Sequence, residues 1–254
     1  MPQNPSPIVE HVRAHRRVPR TEVQGERHAL SLGTLLIAKG AEQGRATPLL
    51  VHFHGASWMP EHAAVRRWHK AAVLAVHIGA GSGVYTQAFA DPSRFGRLLD
   101  EAPLHCRPVV LSGFSAGCGA IREILKHRPN WDRIDAVVLI DGIHTSYVDG
   151  KLDTEPLAPL VAFAREAAAA RKQMIVTHSE IFPGTFASTT ETADFLLSEL
   201  GLKRQAVVKW GPLGMQLVGQ VRAGRFELLS FAGNSAPDHV DHFHTLEYWL
   251  KRVK

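Results

Sequence analysis

Short apolar runs alternate with amphipathic segments along most of the chain. Helical spacing of apolar residues predicts helices at 61–70, 116–127, 157–171 and 192–200. Apolar runs rich in branched residues predict buried strands at 27–38, 49–53, 72–78, 108–111, 134–140 and 173–177. This alternation predicts an α/β fold with a mostly parallel twisted sheet and helices on both faces, and no segment is long enough for a large lid domain.

The last third departs from this alternation. Apolar runs at 217–221 and 226–231 flank a short turn at 222–225, which predicts a hairpin. The chain then closes with an amphipathic helix, whose predicted buried face contains Phe243, Leu246, Trp249, Leu250 and Val253.

The size and charge of the chain limit its class. With 254 residues, of which 45% are hydrophobic, we expect one domain over residues 27–254, preceded by a basic arm over residues 1–26. The arm contributes to a net charge of +5, but no aromatic residues interleave with its basic ones, so we expect a solvated arm and no nucleic-acid partner. Its basic residues are His11, Arg13, His15, Arg16, Arg17 and Arg20.

No membrane association is predicted, because no apolar stretch approaches the length of a bilayer span. Residues 1–5 lack the features of a signal peptide, so we expect a cytoplasmic protein unless a leader has been trimmed. Cys106 and Cys118 are too few for a disulfide framework and do not decide the compartment.

The most informative motif is Gly113-Phe114-Ser115-Ala116-Gly117, which directly follows an apolar strand and opens a helix. It matches the G-x-S-x-G elbow, in which a sharp turn exposes the hydroxyl of a nucleophilic serine. Ser115 is therefore our candidate nucleophile.

A serine hydroxyl needs a base to activate it, and the chain offers three late histidines. We favour His239, because we expect it in the loop before the last helix. His242 and His244 are expected on the first turn of that helix, and His242 remains the alternative.

Two carboxylates lie between the candidate serine and the candidate histidines along the chain, so either could be the acid of a triad in the order serine, acid, histidine. Asp141 ends the apolar run 137–140, and Gly142 permits a tight turn there, so a rigid contact with an imidazole is possible. Glu180 follows the run 174–177 and is the other candidate, but it would have to reach from a loop stiffened by Pro183, so we lean to Asp141. Glu191 is interpreted as part of a capping box, Ser188-Thr189-Thr190-Glu191, that opens a helix.

The tetrahedral intermediate of acyl transfer needs two donors for its oxyanion. We assign the backbone amide of Ala116, the residue after the candidate nucleophile, and the amide of Ala56 in the His54-Gly55 loop, with Ser57 as the nearest substitute. His54 is then expected to be a hydrogen-bonded structural residue.

These motifs together resemble the α/β-hydrolase superfamily, in the size range of small carboxylesterases and dienelactone-hydrolase-like serine hydrolases. The resemblance covers the chain from about residue 27 to its end and implies a serine esterase that forms an acyl-enzyme and needs no cofactor or metal. Most members supply the acid after the seventh strand, which corresponds to Glu180, so the preference for Asp141 departs from that pattern.

The substrate is less defined than the chemistry. Aromatic residues in the predicted rim loops include Trp58, Tyr85 and Phe182 as candidate substrate contacts, together with Phe89 and Phe186. An open site of this kind favours short-acyl esters or esters attached to a carbohydrate or polymer. The oligomeric state cannot be read from these patterns.

Two other function classes stay open. A metal-dependent hydrolase could use His52, His54 and the histidine cluster after Asp238, although the first pair lacks a nearby carboxylate. A hydrolase-fold binding protein without catalysis is the second alternative.

Overall fold

The structure is a computed structural model that describes residues 14–41 and 46–254. The strands are β1 (Gly25–Ala29), β2 (Thr34–Ala38), β3 (Thr47–Phe53), β4 (Ala72–Val76), β5 (Cys106–Phe114), β6 (Ala136–Ile140), β7 (Tyr147–Val148), β8 (Lys151–Leu152), β9 (Gln173–His178), β10 (Gln205–Trp210), β11 (Gln216–Ala223) and β12 (Phe226–Phe231). The helices are α1 (Trp58–Trp68), α2 (Ser82–Ala88), α3 (Arg94–Asp100), α4 (Cys118–Leu125), α5 (Arg128–Trp131), α6 (Ala158–Ala168), α7 (Thr189–Glu199), α8 (Ala236–His244) and α9 (Leu246–Leu250).

The chain contains two compact units. The first unit comprises Pro19–Val138 and Leu246–Lys254, and the second comprises Leu139–Thr245 with the described residues up to Val18. These units do not test whether residues 27–254 form a single domain, which stays a prediction.

In the first unit the strand order is β1-β2-β4-β3-β5, followed by the start of β6. β3 pairs in parallel with β4 and β5, whereas β2 pairs antiparallel with β1 and β4. Most side chains of β3, β4 and β5 are buried, as expected of parallel strands covered on both faces.

In the second unit the end of β6 is followed by β9, β12, β11 and β10. β9 and β12 are parallel, whereas β11 pairs antiparallel with both β12 and β10. The predicted hairpin is confirmed, because Ala223 pairs with Phe226 across the turn.

The structure corrects two of the predicted elements. Residues 27–38, predicted as one strand, form the hairpin β1–β2, because the chain turns at residues 31–33. Gly33 has a φ of +91°, and a Cβ there would lie 2.5 Å from the carbonyl oxygen of Ala75. The predicted final helix is two helices, α8 and α9, which are separated at Thr245, and its five predicted core residues are all buried.

The arm is less solvated than predicted. His15 and Arg17 both bind the carboxylate of Asp241 on α8, at 2.7 Å and 3.0 Å, and the Asp241 side chain is fully buried. The N–H of Val18 also donates to Nδ1 of His244. The arm residues His11 and Arg13 lie outside the described residues.

Candidate active site

Ser115 lies at a sharp turn between a strand and a helix in the first unit. β5 ends at Phe114, residues Ser115–Gly117 form one 3-10 turn, and α4 follows at once. The φ of Ser115 is +50°, a left-handed conformation that is strained for a residue with a side chain. The turn also needs glycine at position 117, since a Cβ built there would overlap the carbonyl oxygen of Phe53.

The same close approach places the loop after β3 beside this elbow. In the parallel β3–β5 pair, Phe53 lies opposite Gly113, so the two strands end at the same level. The next residues, His54 and Gly55, have φ values of +71° and +107°. The chain thereby turns toward Ala56, which is exposed, while Ala116 in the elbow is buried.

His52 is hydrogen-bonded to the loop after β3. Its Nε2 donates to the carbonyl oxygen of His54 at 2.7 Å, and its Nδ1 accepts from the hydroxyl of Ser112 at 2.7 Å. Burial lowers the pKa of His52 to about 4, so the imidazole is neutral at neutral pH and has one donor and one acceptor nitrogen. Both of these hydrogen bonds match that neutral form.

His54 is also hydrogen-bonded, as the sequence predicted for a structural residue. Its Nδ1 lies 3.0 Å from both the carbonyl oxygen of Gly79 and the hydroxyl of Tyr85. Tyr85 is fully buried on α2 and donates to Gly79, so it supports this loop from inside the protein. The predicted location of Tyr85, in a rim loop after a strand end, is wrong, because Tyr85 lies on α2 and is buried.

A histidine and an aspartate meet in the second unit. Nδ1 of His239 donates to Oδ2 of Asp141 at 2.7 Å. The Asp141 side chain is 2% exposed, whereas that of His239 is 28% exposed. A buried carboxylate therefore orients an accessible imidazole, the arrangement that fixes which histidine nitrogen carries the proton.

The carboxylate of Asp141 is itself held by several donors. Its Oδ1 accepts from the backbone N–H of Ser179 at 2.7 Å, from the Ser179 hydroxyl at 3.0 Å and from the Thr189 hydroxyl at 3.2 Å. Burial alone would raise its pKa, but His242, His239 and the Ser179 amide outweigh burial and hold the pKa well below its usual range. Asp141 is thus an anion at neutral pH.

A second buried histidine supports Ser179. Nδ1 of His178 donates to the carbonyl oxygen of Ser179 at 3.0 Å, and Nε2 accepts from Ser230 at 2.8 Å and from Arg204 at 3.3 Å. Burial lowers the pKa of His178 to about 4. The roles of Ser179, Thr189 and His178 were not predicted from the sequence. A usable signal existed only for Thr189, which follows the predicted capping residue Ser188.

The other predicted acid is placed differently. The side chain of Glu180 is exposed, and its backbone N–H donates to Gly233. His239 instead contacts Asp141. Glu191 forms the predicted capping box with Ser188 at the start of α7.

The three late histidines are not arranged as expected. His239 lies on α8, not in a loop before it, because a capping box between Ser235 and Asp238 starts the helix at Ala236. His242 is buried one turn later on the same helix, and its Nδ1 lies 3.1 Å from the Thr177 hydroxyl. Burial lowers the pKa of His242, which makes it a neutral packing residue at neutral pH.

The remaining predicted substrate contacts differ in their exposure. Trp58 begins α1 and is partly exposed, and Phe182 is 45% exposed in the loop between β9 and α7. Phe89 is buried, whereas Phe186 is 41% exposed and packs on His144 with ring centroids 5.5 Å apart.

One group of described residues has the composition of a metal site. Ligand atoms of His15, Asp238 and Asp241 lie within 4.8 Å of one another. The Asp238 carboxylate, however, caps α8 through Ser235, and Asp241 binds the guanidinium of Arg17. A cation at this position would meet a positive charge and would have to displace the helix cap, so the residues fit a metal poorly.

The chain is similar in structure to known esterases. No family model and no curated protein matches it. A PEG-bound complex of a cold-adapted esterase from an Arctic intertidal metagenomic library aligns with a TM-score of 0.52 and 14% identity, covering 92% of this chain and 100% of the other. A zinc-bound structure described as such an esterase aligns with a TM-score of 0.51 and 16% identity, covering 91% and 95%.

At these identities the similarity shows the fold alone. The chain has an α/β-hydrolase fold, which confirms the fold class predicted from the sequence. Separately, none of the helices in the described residues is long and apolar enough to cross a membrane.

Proposed function

From an α/β-hydrolase fold as the premise, we propose that this protein is a serine hydrolase of carboxylic esters. The observation that carries the proposal is the left-handed conformation of Ser115 in a strand-to-helix elbow. Such strain at a non-glycine residue persists only where the surrounding backbone enforces it, and it concentrates at functional positions. Here it turns the serine away from the strand at the end of β5, as a nucleophile elbow requires.

In the proposed reaction Oγ of Ser115 attacks the ester carbonyl carbon while Nε2 of His239 accepts the hydroxyl proton. The C–O bond to the alcohol then breaks, and the same proton passes from His239 to the leaving oxygen. Water attacks the acyl-enzyme in the same way, releases the acid and restores Ser115.

Asp141 has the role of the acid in this proposal. Its hydrogen bond to Nδ1 leaves Nε2 of His239 as the acceptor nitrogen, and its negative charge stabilises the imidazolium that forms. The low pKa of Asp141 supports this role, because the carboxylate stays ionised throughout. Glu180 is not needed.

We assign the oxyanion donors to the backbone amides of Ala116 and Ala56. Support comes from the register that brings Phe53 opposite Gly113 and from the close approach of Gly117 to Phe53, which bring the two loops together. The hydrogen bonds of His52 fix the β3 loop before substrate arrives, so the donor would cost no reorganisation.

The test is covalent labelling by a fluorophosphonate, read as intact mass. We expect one adduct on the wild type, none on Ser115→Ala, and strongly slowed labelling on His239→Asn. Ser198→Ala is the matched control, because Ser198 is an exposed serine on α7. An unlabelled wild type would contradict the proposal, and activity that survives Ser115→Ala but not a chelator would favour a metal-dependent hydrolase.

Small-molecule and polymer-attached esters, including short-acyl and carbohydrate esters, all remain compatible with this mechanism. Their discrimination depends on side chains outside the proposed triad.

A further inference from the structure

Four exposed apolar side chains lie on two loops of the second unit, one formed by residues 141–157, which include the β7–β8 hairpin, and the other formed by residues 179–188. Eight large hydrophobic residues are exposed among the described residues, and half of them are Tyr147, Val148, Phe182 and Phe186. We call these four the apolar platform. Half of the exposed large hydrophobic residues thus lie in two chain segments that hydrogen bonds join, whereas exposed apolar residues are normally scattered.

The two loops are tied together beside Asp141. The backbone N–H of Ala187 donates to the carbonyl oxygen of Thr145 at 2.9 Å, and the hydroxyl of Thr192 donates to that of Ile143. Since Thr189 donates to Asp141, the start of α7 contacts both the proposed acid and the loop that follows it.

A hydrogen bond fixes the outer end of this arrangement. The hydroxyl of Tyr147 donates to Glu191 at 2.7 Å, and Glu191 also caps α7. Residues Asp149 and Gly150, both with positive φ, close the two-residue turn of the β7–β8 hairpin. Hydrogen bonds therefore hold the backbone that carries the platform. The hydroxyl of Tyr147 and the carboxylate of Glu191 bind each other.

The charges of the same loops are mostly negative. Besides His144, Tyr147 and Glu191, the titratable residues at 142–156 and 179–191 are four carboxylates and one lysine: Asp149, Asp153, Glu155, Glu180 and Lys151. Because carboxylates outnumber the lysine, these loops repel an anionic substrate. A neutral apolar group instead binds favourably, because it removes exposed aromatic rings from water.

We infer that the platform binds a neutral apolar group of the ester, of short-alkyl or phenyl size, and selects against esters that carry a carboxylate. This inference rests on the proposed function and names the substrate class of that site. The polar contacts that a sugar requires are not provided by Tyr147 and Glu191, because their polar atoms already bind each other.

The experiment compares kcat/KM for a set of esters by pH-stat titration. Ethyl acetate is the reference, ethyl hexanoate and benzyl acetate carry an apolar group on the acyl or the alcohol side, and monoethyl succinate carries a carboxylate. Glucose pentaacetate represents carbohydrate esters. We expect at least one apolar ester to exceed ethyl acetate by about tenfold, and monoethyl succinate to fall below it.

The variants Phe182→Ala and Phe186→Ala should each reduce that apolar advantage by about fivefold or more relative to ethyl acetate. Trp210→Ala is the matched control, because Trp210 is an aromatic residue, 75% exposed, on β10, and should leave the ratio unchanged. Thermal melting of each variant verifies that it folds.

Two results would overturn the inference. One is an unchanged ratio in the phenylalanine variants, which includes equal losses for all esters. The other is a preference of the wild type for monoethyl succinate or glucose pentaacetate. Fluorophosphonate labelling of the wild type separates these results from failure of the proposed function, in which case no labelling and no ethyl acetate hydrolysis would be seen.

Discussion

His239 and Asp141 are separated by 98 positions in the chain, yet their Nδ1 and Oδ2 atoms lie 2.7 Å apart. The aspartate is buried and held by Ser179 and Thr189, whereas the histidine is partly accessible. Asp141 thus holds Nδ1 of His239 in place and leaves Nε2 as the nitrogen that can take part in chemistry.

Replacing that carboxylate tests its role directly. Asp141→Asn should lower kcat by about 10³- to 10⁴-fold, because the amide stabilises the wrong tautomer of His239 and cannot balance an imidazolium. Glu180→Gln, an exposed change of the same kind, should stay within about twofold of wild type. Steady-state kinetics on ethyl acetate measures both. The opposite order of effects would make Glu180 the acid.

The elbow makes a prediction about stability. Gly117→Ala should lower the free energy of unfolding by about 3 kcal/mol or more, because the added Cβ would overlap the carbonyl of Phe53. Gly83→Ala is the control, since a Cβ at that exposed position on α2 meets nothing within 4 Å, and it should stay within about 1 kcal/mol of wild type. Equal stabilities in urea unfolding would show that the elbow can relax.

The basic arm should stabilise α8. Arg17→Gln removes a charge from the buried Asp241 and should cost about 1–3 kcal/mol in urea unfolding. Arg16→Gln removes an equal charge from the exposed neighbouring residue and should have almost no effect. If both variants lose the same stability, the net charge of the arm matters and the contact with Asp241 does not.

Two buried histidines predict acid sensitivity. The pKa values of His52 and His178 are lowered to about 4 by burial, whereas an unfolded histidine titrates near 6.5. Between these pH values the unfolded chain binds more protons, so stability falls as pH falls, by about 3 kcal/mol per histidine across the window.

Urea unfolding at pH 7.5, 6.0 and 4.5 measures this dependence. His178→Asn should be less stable at pH 7.5 but should lose the share of the histidine-linked decline that His178 carries. The exposed His105→Asn is the control and should keep the wild-type profile. A full decline in His178→Asn would mean that the buried imidazole does not carry this sensitivity.

Much of the fold could be predicted because its signals are local. The strand before Ser115, the two glycines of the elbow and the capping box at Ser188 are each contained in a few residues, and the structure places a strand, a tight turn and a helix start there. The sheet extension by β10 was missed, since its residues are mostly exposed and show no apolar alternation.

The environment of Asp141 could not be predicted in the same way. Ser179 and Thr189 reach Asp141 only after β6, β9 and α7 have packed, so no spacing in the sequence records the contact. The position of His239 was misjudged for a different reason. Ser235 and Asp238 form a capping box with Pro237 in the first turn, which is a local sequence signal for a helix that begins before His239.

The contact between Arg17 and Asp241 joins residues 224 positions apart. During synthesis Arg17 emerges long before Asp241 exists, so this contact cannot form until α8 has been synthesised. Until then α8, which carries His239, is either unmade or without these partners. Assembly of the proposed active site therefore waits until α8 has been translated, and a chain terminated before residue 236 would lack both His239 and the helix to which its own arm binds.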